Sequence, residues 1–382
     1  MKRRMAIVDL TNFKDWPAGG MLQYELAILP TLVKEFDVDI WGVRVDGKIP
    51  SSILLDDTEY PIKIWGNVKT KSKLIPNYWR GLSLIGKRNS FKEYDIIYVH
   101  TGSCATALSK VIDRSKTLLV YHQHGLSHLN DHSLMSLIQR PFVNYAQYVS
   151  DVVFVVSDKD AVDKYVSSIS KKIRGRFAPV GSPIDLSLFH KITKENDEKI
   201  KLIYTGRIDS HKDVCTLIDM AGKLNSLYEN FSLIIVGDGD EKEKVKLRVK
   251  ALGLENKIVL TGIQTRKNVL QKLLNADIYV TASIGEGVSI SVLEAYASGL
   301  PVVCFNVPGL SRQVINNVTG KVVNSRNVSL MAESVIDVKN NLDTYKENVL
   351  EEVKKYDSET ISCLICETIK DSFQRGYEYY HK

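Results

Sequence analysis

The chain alternates short apolar runs with longer amphipathic stretches along almost its whole length, and few folds accept that pattern. Strand-like runs occur at 4–10 (RMAIVDL), 36–43, 94–100 (YDIIYVH), 117–123 and 151–157. A second series follows at 200–206, 231–239 (FSLIIVGDG), 257–262, 276–283 and 301–305. Helical patterns lie among them, at 20–35, 211–228, 240–252, 265–275 and 288–298. Runs that are apolar throughout belong to strands covered on both faces, and alternation with helices marks parallel, doubly wound sheets. The expected fold class is therefore α/β, with two Rossmann-like domains in tandem. In such sheets ligands bind beyond the carboxyl ends of the strands, so two domains of this kind are expected to face a cleft.

The series are separated by 177–199, FAPVGSPIDLSLFHKITKENDEK, where prolines and a glycine precede a charged, apolar-poor run. This reads as the linker. The expected domains are 1–183 and 184–365, and 340–382 reads as helical with no further strand. Its end, 366–382, is expected to pack back on the first domain.

At 382 residues the chain has room for two cores. No apolar run approaches the roughly 20 residues of a membrane span, and the start, MKRRMAIVDLTNF, reads as a first strand rather than a signal peptide. The five cysteines are odd in number and scattered, which suits a reducing cytoplasm. Cys363 and Cys366 form a CxxC with no second pair, an incidental helical spacing.

The net charge of +6 lies in the first half: 1–183 carry 25 Lys+Arg against 18 Asp+Glu, and 184–382 carry 26 against 27. Much of the excess falls in 63–92, which has eight Lys/Arg, no acid, and Trp65, Tyr78, Trp79 and Phe91 interleaved. Basic residues with interfacial aromatics suit an anionic membrane surface; a solvated loop-rich face explains them equally well. No nucleic-acid-binding motif accompanies them.

Four strand-to-helix junctions in the second half suit an anion and a polyol. In YTGRIDSHKD, Gly206 allows a close turn, and Arg207 and Lys212 can hold a diphosphate and stabilise its charge on leaving. In IIVGDGDEKEK, Gly237 and Gly239 open a turn; Asp238 and Asp240 form a DxD better explained by acids at a helix start than by a metal-nucleotide. In LTGIQTRKNV, Gly262, Ile263 and Gln264 would set backbone groups beside a flat base. ASIGEGVSISVLEAYASGLPVV carries the strongest signal. Glu286 stands between glycines at a helix start, and Glu294 follows after seven residues. Backbone amides at such a start attract anions, and carboxylates accept hydrogen bonds from vicinal hydroxyls. The plain readings are a helix-start acid for Glu286 and a solvated helix face for Glu294, although Glu294 has apolar neighbours in sequence.

YHQHGLSH, 121–128, completes a set of five histidines between 100 and 132. A strand running to His124 would point His122 and His124 to one face. His128 and His132 are helically spaced. No cysteine or acid stands at firm ligand spacing to them, so no metal is expected.

With these motifs in this order the chain, over about residues 4–340, resembles the retaining GT-B-fold glycosyltransferases that use nucleotide-sugars (family 4, group 1 type). The E-x7-E with LEAYASGLPVV is the most specific element, and WPAGGMLQYELAILPTLVKEFDVDIW looks like the family's opening glycine loop and helix. The resemblance implies that Arg207 and Lys212 bind the donor diphosphate, Glu294 the ribose, and Glu286 the transferred sugar. It implies that the amides of Gly287, Val288 and Ser289 line sugar and phosphate, and that Gly19 and Gly20 close over the donor. A single histidine would support the sugar near its anomeric centre: His124, with His122 as the alternative. His100 reads, with His128 and His132, as polar lining or helix start.

The implied partners are a UDP- or GDP-type sugar donor and a glycan or lipid-linked acceptor, with no metal, cofactor or nucleic acid. The implied activity is transfer of a hexose with retention, in bacterial capsule, O-antigen or lipopolysaccharide assembly. The implied location is the cytoplasm, with 63–92 suggesting the inner membrane face. Val288, Ser289 and Ser291 depart from the family, which often has an aromatic, a small residue and a proline there; this bears on donor identity. Another GT-B enzyme, such as a nucleotide-sugar epimerase, and a non-catalytic partner in an assembly complex remain as alternatives.

Overall fold

A computed structural model describes residues 2–14, 16, 20–48, 52–55, 57–70, 77–126, 134–157, 159–173, 176–189 and 199–380. The chain forms two compact units, Met1–Pro183 with Ser358–Lys382, and Ile184–Asp357. The return to the first unit comes at Ser358, eight residues before the expected 366. The reason is local: Ile184 and Asp357 form a bridge, Ile184 N–H donating to the Tyr356 carbonyl at 2.8 Å, so the second unit is tied off where it began.

The first unit holds an eight-stranded sheet. Its strands are β1 (Arg4–Val8), β2 (Asp37–Val45), β3 (Ser52–Leu55), β4 (Thr58–Val68), β5 (Ile96–Val99), β6 (Leu118–Gln123), β7 (Val152–Val156) and β8 (Phe177–Val180), in the order β3-β4-β2-β1-β5-β6-β7-β8. Only the β3–β4 pair is antiparallel. β5, β6 and β7 are buried at every position, as their unbroken apolar runs require. β3 and β4 lie in a region without an apolar run, and β8 occupies the start of the presumed linker.

Helix α1 (Gly20–Glu35) buries Leu22, Glu25, Ile28, Leu29 and Leu32, a stripe at helical spacing with one acid in it. The described helices continue with α2 (Gly102–Leu108), α3 (Leu134–Val149) and α4 (Lys159–Ser168) in this unit.

The second unit carries β9 (Ile200–Thr205), β10 (Phe231–Val236), β11 (Ile258–Gly262), β12 (Ile278–Thr281), β13 (Val302–Phe305) and β14 (Gly320–Val323), all parallel in the order β11-β10-β9-β12-β13-β14. Its helices are α5 (Val214–Leu227), α6 (Lys242–Ala251), α7 (Arg266–Asn275), α8 (Ile290–Ala297), α9 (Leu310–Gln313), α10 (Val328–Asn340) and α11 (Leu342–Glu352). Finally α12 (Ser358–Tyr380) packs against α1 in the first unit, where Lys370 pairs with Glu35 and the Arg3 guanidinium lies 3.5 Å over the Phe373 ring. Cys363 and Cys366 are free on this helix, one exposed and one buried. Among the described residues, no helix is long and apolar enough to cross a membrane.

In each sheet the strand order reverses at one point. Chain order runs outward to β2 on one side of β1 and to β5 on the other, and likewise to β10 and β12 on either side of β9. Helices leaving the two strands at such a point diverge to opposite faces and open a crevice at the carboxyl ends.

The strand ends of the second unit are packed too closely for side chains. Gly237 has φ +139°, its N–H bonds the Gly262 carbonyl at 3.0 Å, and a Cβ there would overlap the Gly206 oxygen. Gly253 has φ +63° and open space around it. Gly237→Ala combines conformational strain with overlap and is expected to cost about 2 kcal/mol or more. Gly253→Ala carries strain alone and is expected to cost about 1 kcal/mol. Urea denaturation checks the order; equal costs would contradict it.

Candidate functional site

The second unit gathers its charges at the β9/β12 reversal. After β9, the Asp209 carboxylate accepts from the N–H groups of His211 and Lys212, which shapes the loop into α5. Asp209 also pairs with the largely exposed Arg207 at 3.1 Å. Lys212 reaches the loop after β12 and pairs with Glu286, which also accepts from the Ser283 hydroxyl at 2.8 Å. Both charged partners are mostly enclosed. The Glu286 loop is held by its N–H on the Pro308 carbonyl at 3.0 Å, and by Gly309, where a Cβ would overlap the Glu286 and Gly287 oxygens. Gly309 has φ +87°, which a larger residue rarely adopts.

Glu294 lies in the second turn of α8 and is buried, so the solvated-face reading fails. Its partner is Arg266 at the start of α7. Ser289 caps α8, but its N–H donates to the Gln313 side chain and its carbonyl accepts from the same amide, both at 2.9 Å. The Ser289 amide is therefore engaged with Gln313 in this structure. Gly287 and Val288 keep amides without a hydrogen bond among the described residues. Gly262 ends β11 with φ +69°, and Ile263 beside it is 81% exposed. Asp238 accepts from Lys242 and from Gly239 N–H, which hold its carboxyl below the usual range and fix the turn.

The first unit gathers a different set at the β1/β5 reversal and the end of β6. The rings of His100, His122 and His124 cluster face to face, with centroids 4.8 Å apart for His100–His122, 5.0 Å for His100–His124 and 5.1 Å for His122–His124. Tyr24 of α1 stands edge-on to all three. His122 Nδ1 bonds the Tyr98 hydroxyl at 2.6 Å, and His100 Nδ1 bonds His124 Nε2 at 2.7 Å. Burial pushes His124 down to about 4 and the other two well below the ordinary imidazole range, so all three are neutral near pH 7. Gly20 opens α1; Gly19, His128 and His132 lie outside the described residues.

The basic stretch turns most of its aromatics inward. Trp65 is buried on β4, its indole N–H on the Asp9 carbonyl at 2.9 Å; Phe91 is buried; and the Tyr78 hydroxyl accepts from Gly102 N–H at 3.1 Å. Lys63 pairs with Asp39. Trp79 stays exposed, with Ile85, Lys87, Arg88 and Lys92.

The comparisons with known proteins agree with this architecture. Residues 187–355 match the family "Glycosyl transferases group 1". The matched residues lie within the second unit, which is similar to that family. The uncharacterized glycosyltransferase MJ1059 of Methanocaldococcus jannaschii is 23% identical over 54% of this chain and 52% of its own length. The chain thus spans about half of that curated relative. The 2-deoxystreptamine N-acetyl-D-glucosaminyltransferase of Niallia circulans is 24% identical over 79% of this chain and 80% of its own. Among solved structures, Anabaena Alr3699/HepE in complex with UDP aligns over 96% of this chain and 100% of its own at TM-score 0.76 and 19% identity. That likeness establishes the GT-B fold.

Arg266 and Gln313 escaped the sequence reading, since each meets its partner only through the fold. Gln313→Leu leaves two buried backbone groups of Ser289 without partners and is expected to cost about 2 kcal/mol by thermal or chemical denaturation. An unchanged midpoint would show that the α8 start is held by something else.

Proposed function

We propose that the chain is a retaining glycosyltransferase that moves a hexose from a UDP- or GDP-type sugar to a hydroxyl of a glycan or lipid-linked acceptor. The observation that carries this reading is the cluster at the β9/β12 reversal: Arg207 and Lys212 after one strand, and Glu286 and the α8 start bearing Glu294 after the next. Its charges come as exchangeable pairs. A diphosphate offers Lys212 two anionic partners in place of Glu286, and a sugar's hydroxyls offer Glu286 donors in place of the ammonium. Ribose hydroxyls bear the same relation to Glu294 and Arg266. The cations meet the charge that grows on the departing diphosphate, so no metal is assigned to it. The Gly287 and Val288 amides add two donors, and the exposed Ile263 offers an apolar surface to a base. His124 is assigned to the transferred sugar as a neutral hydrogen-bonding group. Retention follows from front-face attack, with the leaving phosphate taking the acceptor's proton. The UDP in Anabaena HepE supports a nucleotide-diphosphate donor.

The pathway assigned is bacterial surface polysaccharide assembly, with the protein in the cytoplasm against the inner membrane face. Trp79 and Ile85 with Lys87, Arg88 and Lys92 support a membrane-side acceptor. The N-acetylglucosaminyltransferase relative, whose name carries a small aminocyclitol, favours a soluble acceptor instead.

A panel of UDP- and GDP-sugars, scored by hydrolysis and thermal shift, tests the donor; a ligand at 100 times its Kd adds about 2.7 kcal/mol of stability. Arg207→Ala and Lys212→Ala are each expected to lower turnover by about tenfold or more while the protein stays folded. Near-wild-type rates would remove the assignment. Sedimentation with anionic liposomes is expected to carry the protein down, and Trp79→Ala to weaken that. Indifference to liposomes, with efficient transfer to a soluble acceptor, would decide for the soluble reading.

A further inference from the structure

Asp9, Glu25 and His100 converge in the first unit from three separate elements. Asp9 follows β1 and His100 follows β5, brought side by side by the register that pairs Ile7 with Tyr98. Glu25 comes from the buried stripe of α1. All three are buried, and one ligand atom from each lies within 4.8 Å of the others. The reversal of strand order at β1/β5 is where such a sheet accepts a ligand.

The hydrogen bonding of the three is unfinished in a particular way. Asp9 is fixed, its carboxylate accepting from Leu10 N–H, His100 N–H and the Thr101 hydroxyl. Glu25 is not: neither of its oxygens has a hydrogen-bond partner, although it is only 2% exposed. His100 Nε2 is likewise bare and buried, while its Nδ1 is bonded to His124. No lysine or arginine among the described residues pairs with Asp9 or Glu25. A proton on Glu25 would remove the charge, and burial beside Asp9 does hold that carboxyl well above its usual range. But the acid's hydroxyl would then have no acceptor, and the Nε2 lone pair no donor. A cation meets all of these needs together.

We propose that Asp9, Glu25 and His100 form a binding site for one divalent transition-metal ion, zinc by preference. Two carboxylates balance the ion's charge in a buried setting, and an imidazole nitrogen favours zinc over magnesium, which keeps its waters and prefers oxygen. Three protein ligands leave a coordination position for water or another oxygen. The contact behind His100 suits a metal ligand: with the ion on Nε2, His100 carries its proton on Nδ1 and donates it to His124 Nε2. The same bond sets the orientation of His124. The diphosphate and ribose assignments rest on the second unit and do not depend on this site.

The test uses the full chain, purified without chelator and analysed for metal, then stripped with EDTA and titrated with ZnCl2, MnCl2 or MgCl2 while thermal unfolding is followed. The wild type is expected to retain stoichiometric zinc, and the stripped protein to gain several degrees with Zn2+ and little with Mg2+. Glu25→Gln and His100→Gln are expected to weaken zinc binding by about tenfold or more. Cobalt uptake supplies a readout separate from stability: visible d–d bands are expected in the wild type and lost in Glu25→Gln. The proposal is overturned if the wild type takes up neither zinc nor cobalt. It is also overturned if Glu25→Gln binds as well as wild type, or if Glu25→Gln is the more stable protein with and without zinc, the behaviour of a site that holds only a proton.

Discussion

Parallel pairing is the constraint on which the rest of the molecule depends. Each βαβ unit brings the next strand in with the same direction, so the carboxyl ends of neighbouring strands accumulate along one edge of each sheet. Where the order reverses, the helices that follow leave to opposite faces and cannot cover that edge. Both chemically interesting clusters sit at such reversals: Lys212 and Glu286 at β9/β12, Asp9 and His100 at β1/β5. Neither location calls for a special loop. Each follows from the topology once the polar residue stands a few positions beyond its strand.

The closeness of those loops is then a matter of missing side chains. Gly237 lets the β10 end lie against Gly206, and Gly309 lets the loop after β13 support the one that bears Glu286. The backbone thus positions a charge pair that would be costly to assemble by side-chain ordering alone. A largely enclosed pair such as Lys212–Glu286 is a modest source of stability, because desolvation offsets most of its attraction. Its value on the proposed reading lies elsewhere: both charges stay in place, partly desolvated, until a ligand supplies better partners for each.

The strands that entered the sheets as continuous apolar runs were legible in the sequence, because burial on both faces demands such runs. β4 was not, since its basic and aromatic residues mimic an exposed loop: Trp65 turns inward to bond Asp9, and Lys63 is taken up by Asp39. β8, FAPV, was read as linker because a proline stands within it; it closes the sheet as an edge strand, where a missing N–H is tolerated. In the second unit, Arg207, Lys212, Glu286 and Glu294 could be read because each sits in a motif with local spacing. Their partners could not. Arg266 and Gln313 lie 28 and 24 residues from Glu294 and Ser289, on elements that only the fold brings near. Asp9 and Glu25 gave still less signal: an acid closing a strand and an acid within an amphipathic helix look ordinary until both prove buried.

The same limit explains the histidines. Counting them along 100–132 suggested a cluster, and ligand spacing within that segment argued against a metal. The fold divides the set differently. His122 is bound to Tyr98 and closed in by aromatic rings, a neutral side chain within the core. His100 faces two acids from β1 and α1, which no spacing around YHQHGLSH could reveal. With a metal on His100 Nε2, as proposed, His124 accepts from His100 at Nε2 and, neutral near pH 7, carries its own proton on Nδ1. A histidine held in that state is a hydrogen-bond donor first and a base only weakly, since burial disfavours the imidazolium that proton abstraction would create. This suits support of a sugar hydroxyl better than removal of the acceptor's proton, and leaves that proton to the departing phosphate on the proposed mechanism.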